Sequence, residues 1–94
     1  MDVEAVLKAA SPPRNDRERR GRLKIVLLMK VMPDGWTTAA DVAIRMERAS
    51  GRPYSNYRAH MTIKAAMHYG LIERKHILPA HGPRDMIQKY RKVS

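Results

Sequence analysis

Four histidines, at positions 60, 68, 76 and 81, are the side chains of this 94-residue chain best suited to bind a metal ion or to change charge near neutral pH. His60 and His68 stand eight positions apart, which is too far for one helical turn to bring both to one ion. No carboxylate lies between them, so the spacing does not favour a metal centre. Protonation of these imidazoles would add positive charge to the second half of the chain.

The chain offers little for an enzyme mechanism. Its nine carboxylates are scattered, and it has no cysteine. No Gly-rich phosphate loop and no Ser–His arrangement stands out. We therefore expect a protein that is not an enzyme and needs no cofactor. The lack of cysteine also removes disulfides and thiolate zinc sites, which fits a cytoplasmic protein.

Positive charge is the strongest chemical signal. Nineteen Lys and Arg against nine Asp and Glu give a formal net charge of +10. Residues 48–94 hold ten basic and two acidic residues, whereas residues 1–47 hold nine and seven. The natural partners are nucleic acid, anionic lipid or an acidic protein. A membrane is the weakest of these, because the apolar residues are needed for a core and the longest apolar run is only 25–29.

Arginines crowd residues 14–22, where five stand in nine positions. Asp16 and Glu18 lie within the run. Acidic and basic residues three or four positions apart on a helix can pair with one another. The interleaving favours a solvated, internally paired helix face over an arm that binds nucleic acid.

Apolar spacing predicts four helices, at 2–10, 16–32, 39–49 and 56–69. Asn15 or Asp16, Thr38 and Ser55 are suitable N-caps, and Gly70 is a suitable stop for the last helix. The second half of 16–32 is apolar on nearly all sides, which predicts a central buried helix. One face of the third helix carries Ala39, Val42, Ala43, Met46 and Ala49.

The short first helix needs a surface to pack against, because so short a helix is marginal alone. Its apolar stripe consists of Val3, Val6, Leu7 and Ala10. The stripe docks either on the body of the domain or on a second copy. The second case predicts a homodimer through the helices at 2–10 and 16–32.

The C-terminal residues change to an extended pattern. Residues 71–78 and 86–93 predict two strands of a basic β-hairpin around a Pro-rich loop, 79–85. Trp36-Thr37-Thr38 predicts a short strand before the third helix. The fold class is therefore α+β and mainly helical.

This order of elements resembles the winged helix-turn-helix domain over about residues 16–93. The matching features are the buried helix at 23–32, the Trp36-Thr37-Thr38 entry, the helix from Ser55, and the Gly70-Leu71-Ile72-Glu73-Arg74 exit into a basic wing. The resemblance implies three core helices and a two-stranded wing in a domain at 14–94, preceded by a short helix and linker at 1–13. Two features depart from the family: the loop at 50–54 is longer than a tight turn, and the first helix is extra.

The resemblance implies that the helix at 55–69 lies in the major groove of double-stranded DNA, while the wing at 71–93 contacts backbone or minor groove. The residues then expected to read bases are Asn56, Tyr57, Arg58, Met61 and Thr62. Those expected on the DNA backbone are Arg52, Ser55, Lys64, Arg74, Lys75, Arg84, Lys89, Arg91 and Lys92. Arg84 or His81 at the wing tip would enter a minor groove.

These observations leave several functions open. The first is a DNA-binding transcription regulator. The alternative is a winged-helix protein-interaction module that docks on an acidic surface of a polymerase, replication or virion assembly. Tyr54 and Tyr57 could also stack on RNA or single-stranded bases, although tyrosines at such positions more often pack at a helix start.

Overall fold

A computed structural model describes residues 2–77 and 87–93 of the chain. In this part the helices are α1 (Val3–Ala9), α2 (Asp16–Val31), α3 (Ala39–Ser50) and α4 (Asn56–His68). They are followed by the strands β1 (Ile72–Ile77) and β2 (Ile87–Lys92). The α+β class and the order of helices before hairpin agree with the prediction. The expected wing tip, with His81 and Arg84, lies outside the described residues.

The predicted N-caps begin three of the helices. The side chain of Asn15 accepts a hydrogen bond from the backbone N–H of Glu18, and Ser55 accepts one from Arg58. Thr38 accepts from the backbone N–H of Asp41. Each bond satisfies a backbone donor that the first turn leaves without a helical partner.

The end of α4 depends on Gly70, which has a φ of 73°. The N–H of Gly70 donates to the carbonyl of Met67 at 3.0 Å, and that of Leu71 donates to Ala66 at 3.1 Å. This pair of bonds is the Schellman arrangement, which requires a left-handed residue after the helix. The chain thereby leaves α4 and enters β1.

We expect Gly70→Ala to destabilise the fold by about 1–2 kcal/mol, because a Cβ disfavours the left-handed conformation. Gly21→Ala is the matched control, since Gly21 lies inside α2 and nothing occupies the space around a Cβ there. Alanine within a helix should stabilise by about 0.5–1 kcal/mol. Urea unfolding of both variants measures these effects, and equal shifts of the same sign would contradict the assignment.

One hydrophobic core joins the helices to the hairpin. Its largest fully buried side chains are Tyr90, Leu28, Met46, Ile63, Leu71 and Val42. They come from α2, α3, α4, β2 and the residue that follows Gly70. The hairpin is therefore fixed to the helices by its own buried residues.

The first helix packs on the body of its own chain. Leu7 is buried in the common core, and Val3 and Val6 pack against it. The Arg22 guanidinium donates to the carbonyl of Leu7 at 3.2 Å and also to that of Ser11. The stripe of α1 therefore packs on its own chain, with Leu7 buried and Val3 and Val6 partly buried, and the homodimer stays a prediction.

Two apolar residues do not follow the predicted burial. Ala49 is exposed because it lies in the last turn of α3, beyond the buried Met46. Leu23 is 63% exposed because the buried positions of α2 begin at Ile25. The core face of each helix is therefore shorter than the apolar pattern predicted.

The hairpin pairs Glu73 with Arg91, Arg74 with Tyr90 and Lys75 with Lys89. The short strand expected at 36–38 is a single bridge, in which Thr37 and Tyr90 exchange two backbone hydrogen bonds of 2.8 Å. This bridge ties the entry of α3 to β2. No helix in 2–77 has the length and apolar character needed to cross a membrane.

Candidate nucleic-acid interface

Helix α4 has two faces of opposite character. Ala59, Ile63 and Ala66 are buried in the core. The other side exposes Tyr57, Met61, Lys64 and His68, spaced three or four positions apart. Tyr57 is 71% exposed and Met61 is 45% exposed. With Asn56 in the first turn, this outward row presents apolar, amide and cationic groups and no acid.

The beginning of α4 holds Arg58 against the preceding loop. Its guanidinium carbon lies 4.8 Å from the centre of the Tyr54 ring, and its Nη1 donates to the carbonyl of Pro53 at 3.4 Å. Stacking on an aromatic ring orients a guanidinium and leaves its edge available to a further acceptor. Arg58 and the exposed Arg52 therefore lie at the same end of α4.

Thr62 does not lie on the outward row of α4. It is 8% exposed, and its hydroxyl donates to the carbonyl of Arg58 at 2.9 Å. The hydroxyls of Tyr54 and Thr62 are 2.6 Å apart. Because the Thr62 hydroxyl donates its proton to Arg58, the Tyr54 hydroxyl is the donor between the two. Thr62 thus bonds to Tyr54, which packs at the start of α4. It does not face a partner.

One face of the hairpin joins the surface of α4. Side chains alternate along a strand, so Arg74 shares a face with its partner Tyr90 and with His76 and Gln88. The Tyr90 hydroxyl donates to Gln88 Oε1 at 2.7 Å and lies 3.2 Å from His60 Nδ1 on α4. Burial raises the pKa of Tyr90, with the charge of Arg74 acting in the opposite direction. We call this face, which carries Arg74 and Tyr90, the inner face of the hairpin.

The opposite face of the hairpin packs on Trp36. Lys75 Nζ lies 4.2 Å from the centre of the Trp36 ring, and the Arg91 guanidinium carbon lies 4.5 Å from it. Arg91 also pairs with Glu73, through a hydrogen bond of 2.6 Å from Nε to Oε1. Lys75 and Arg91 therefore have partners within the protein. The sequence alone did not predict these contacts.

The remaining cations of the predicted backbone set differ in surroundings. Arg52, Lys64 and Arg74 are exposed, whereas Lys89 is half-buried. Lys92 Nζ lies 3.3 Å from Asp34 Oδ1. Ser55 is exposed although its Oγ caps α4, and Arg84 lies outside the described residues. The exposed members are thus Lys64 on the outward row of α4, together with Arg52 before α4 and Arg74 on β1.

The base of the hairpin is linked to α3 through Asp41. Its carboxylate accepts hydrogen bonds from the Thr37 hydroxyl at 2.7 Å and from Arg45 Nε at 2.9 Å. These two bonds hold the pKa of Asp41 below its usual value, and the bond from Thr37 has the larger effect. Asp41 thereby connects α3 to Thr37, the residue that forms the bridge to Tyr90.

The arginine-rich run at 14–22 contains internal ion pairs, as predicted. Arg14 Nε lies 3.0 Å from Glu18 Oε1, and Arg19 Nη1 lies 3.4 Å from Asp16 Oδ1. Hydrogen bonds from Arg14 hold the pKa of Glu18 below its usual value. This helix face is therefore partly neutralised by its own carboxylates.

Within residues 2–77 and 87–93, no three His, Asp or Glu side chains come close enough to share a metal ion. Comparison of the chain with models of known protein families gives no match. Comparison with curated protein sequences gives no match either.

Proposed function

We propose that this protein binds double-stranded DNA as a transcription regulator, in the manner of a winged helix-turn-helix domain. Helix α4 enters the major groove, and the hairpin lies along the backbone or the adjacent minor groove. A single α-helix fits the major groove of B-DNA, where each base pair presents a distinct pattern of donors, acceptors and methyl groups.

The observation that carries this proposal is one surface that combines cations with base-reading side chains and has no acid of its own. Helix α4 contains no acidic residue. The exposed residues of the inner hairpin face, Arg74, His76 and Gln88, include none either. A phosphate backbone that follows α4 onto this face would meet no carboxylate belonging to these two elements.

Different residues of this surface suit different parts of the duplex. The Asn56 amide can pair with adenine N6 and N7, and the apolar surfaces of Tyr57 and Met61 suit thymine methyl groups. Arg58 can fork onto guanine O6 and N7 from its position over Tyr54. Phosphates are contacted by Arg52, Ser55, Lys64 and Arg74, which fix the register of the protein on the duplex.

Fluorescence anisotropy with a labelled duplex of mixed sequence tests binding directly. We expect the logarithm of the affinity to fall linearly with the logarithm of salt concentration between about 50 and 200 mM, with a slope set by the phosphates contacted. The duplex should bind more tightly than either of its single strands, because α4 requires a groove. Equal affinity for the single strands would contradict the groove model, and no binding at about 50 mM salt would contradict DNA binding altogether.

A further inference from the structure

The hairpin has a second surface, on the side away from the inner face. We call it the outer face and define it by Trp36, Lys75, Ile87, Lys89 and Arg91. Lys75 and Lys89 are directly paired across the strands, and Arg91 stands two positions from Lys89. Alternation along the strands places these side chains opposite Arg74 and Tyr90. A duplex seated on α4 and the inner face would leave them uncovered.

Aromatic, aliphatic and cationic groups meet on this outer face. Trp36 is half-exposed, with Lys75 at 4.2 Å and Arg91 at 4.5 Å from its ring centre. Ile87 is 44% exposed. Tryptophan and arginine are the residues most often found at the energetic centre of protein interfaces. The two cation–π contacts also hold Lys75 and Arg91 in place before any partner arrives.

The chemistry of this face distinguishes a protein partner from a nucleic acid. Glu73 lies on the same face and pairs with Arg91, so that Lys75 and Lys89 supply the charge that faces a partner. The aliphatic side chain of Ile87 has no donor or charge that could bind a phosphate. A peptide that carries both carboxylates and apolar side chains can place the former against Lys75 and Lys89 and the latter against Trp36 and Ile87.

We propose that the outer face docks an acidic segment of a partner protein that also carries apolar side chains. This inference does not depend on DNA binding, because it concerns residues on the opposite side of the hairpin. It predicts that the two surfaces act separately and that DNA and the acidic segment are bound at the same time.

The probe is a fluorescein-labelled peptide of alternating glutamate and leucine, and its control carries glutamine in place of glutamate. We expect saturable binding of the acidic peptide in anisotropy and a concurrent change in the fluorescence of Trp36, the only tryptophan in the chain. The glutamine peptide should bind at least about tenfold more weakly, since it lacks the charges that face the lysines. Equal binding of both peptides, or no binding of the acidic one, would overturn the proposal.

Two double variants with the same change in net charge locate the binding surface. Lys75→Gln/Lys89→Gln should weaken binding of the acidic peptide about tenfold, while Lys64→Gln/Arg74→Gln on the DNA side should leave it unchanged. Equal losses in both variants would show attraction to bulk charge and overturn the proposal. Circular dichroism confirms that each variant is folded before it is compared.

Competition with DNA separates this proposal from the proposed function. If a labelled duplex remains bound while the peptide saturates and Trp36 responds, the two surfaces are independent, as we propose. If unlabelled duplex displaces the peptide and Lys75→Gln/Lys89→Gln weakens both ligands equally, the outer face is a nucleic-acid surface and the proposal is wrong. A failure of DNA binding would leave the peptide result on the free protein intact.

Discussion

Replacing Tyr90 with alanine is expected to destabilise the protein by about 3–5 kcal/mol, the range measured when a large buried aromatic side chain is removed. Tyr90 is 2% exposed and is the largest of the fully buried side chains. Its backbone also forms both bonds of the bridge to Thr37, and its hydroxyl contacts His60 and Gln88. Domains of this size have only about 5–15 kcal/mol of stability in total, so much of the variant should be unfolded in mild urea.

Tyr90→Phe is the matched control. It keeps the ring in the core and removes only the hydroxyl, so we expect a loss of about 0.5–1.5 kcal/mol. His60 is half-buried and Gln88 is exposed, which lets water replace the lost bonds. Urea unfolding followed by circular dichroism measures both variants. A loss below about 1 kcal/mol for Tyr90→Ala would show that the hairpin does not depend on this residue.

Removing two cations of the proposed DNA surface is expected to weaken DNA binding by at least about tenfold near 0.1 M salt. The variant is Lys64→Gln/Arg74→Gln, which takes one charge from α4 and one from the inner hairpin face. Each phosphate contact contributes about 0.9 to the salt slope on a duplex. The slope should therefore become shallower by about 1.8. Anisotropy with the labelled duplex over a salt series measures both quantities.

Arg17→Gln/Arg20→Gln provides a control with the same change in net charge. Both arginines are exposed on the first part of α2, and neither belongs to the surface proposed to contact DNA. We expect affinity to change less than twofold, since charges outside the contact surface act only through the screened field of the whole protein. If this variant lost as much affinity as Lys64→Gln/Arg74→Gln, the arginine-rich run would be the binding arm.

Local features of the fold were predictable from the sequence because a few adjacent residues determine them. Asn15, Thr38 and Ser55 cap helices through side-chain bonds that reach only three residues ahead. Gly70 ends α4 because the left-handed conformation favours glycine. Element order followed from these signals together with apolar spacing.

Contacts between residues distant in the sequence were not predictable in the same way. Thr62 stands near exposed positions of α4, yet it is buried because Tyr54 bonds to its hydroxyl. Helices α3 and α4 both lie between Trp36 and Lys75 in the sequence, β1 also precedes Arg91, and only the folded hairpin brings the three residues together. The sequence consequently predicts that Arg91 contacts the DNA backbone, whereas the fold pairs it with Glu73. The number of cations on a surface is thus easier to predict than the number available to a partner.

Selection from a pool of random duplexes tests the central claim, that α4 reads DNA sequence, most directly. The protein and Asn56→Ala are each incubated with the pool at physiological salt, and the retained DNA is sequenced. Asn56 follows the Ser55 cap, so its replacement leaves that cap in place. We predict a short enriched motif and, for Asn56→Ala, a loss of about 1–3 kcal/mol of discrimination at one position of it. Retention without any enriched sequence, or an identical motif for both proteins, would contradict base reading by this helix.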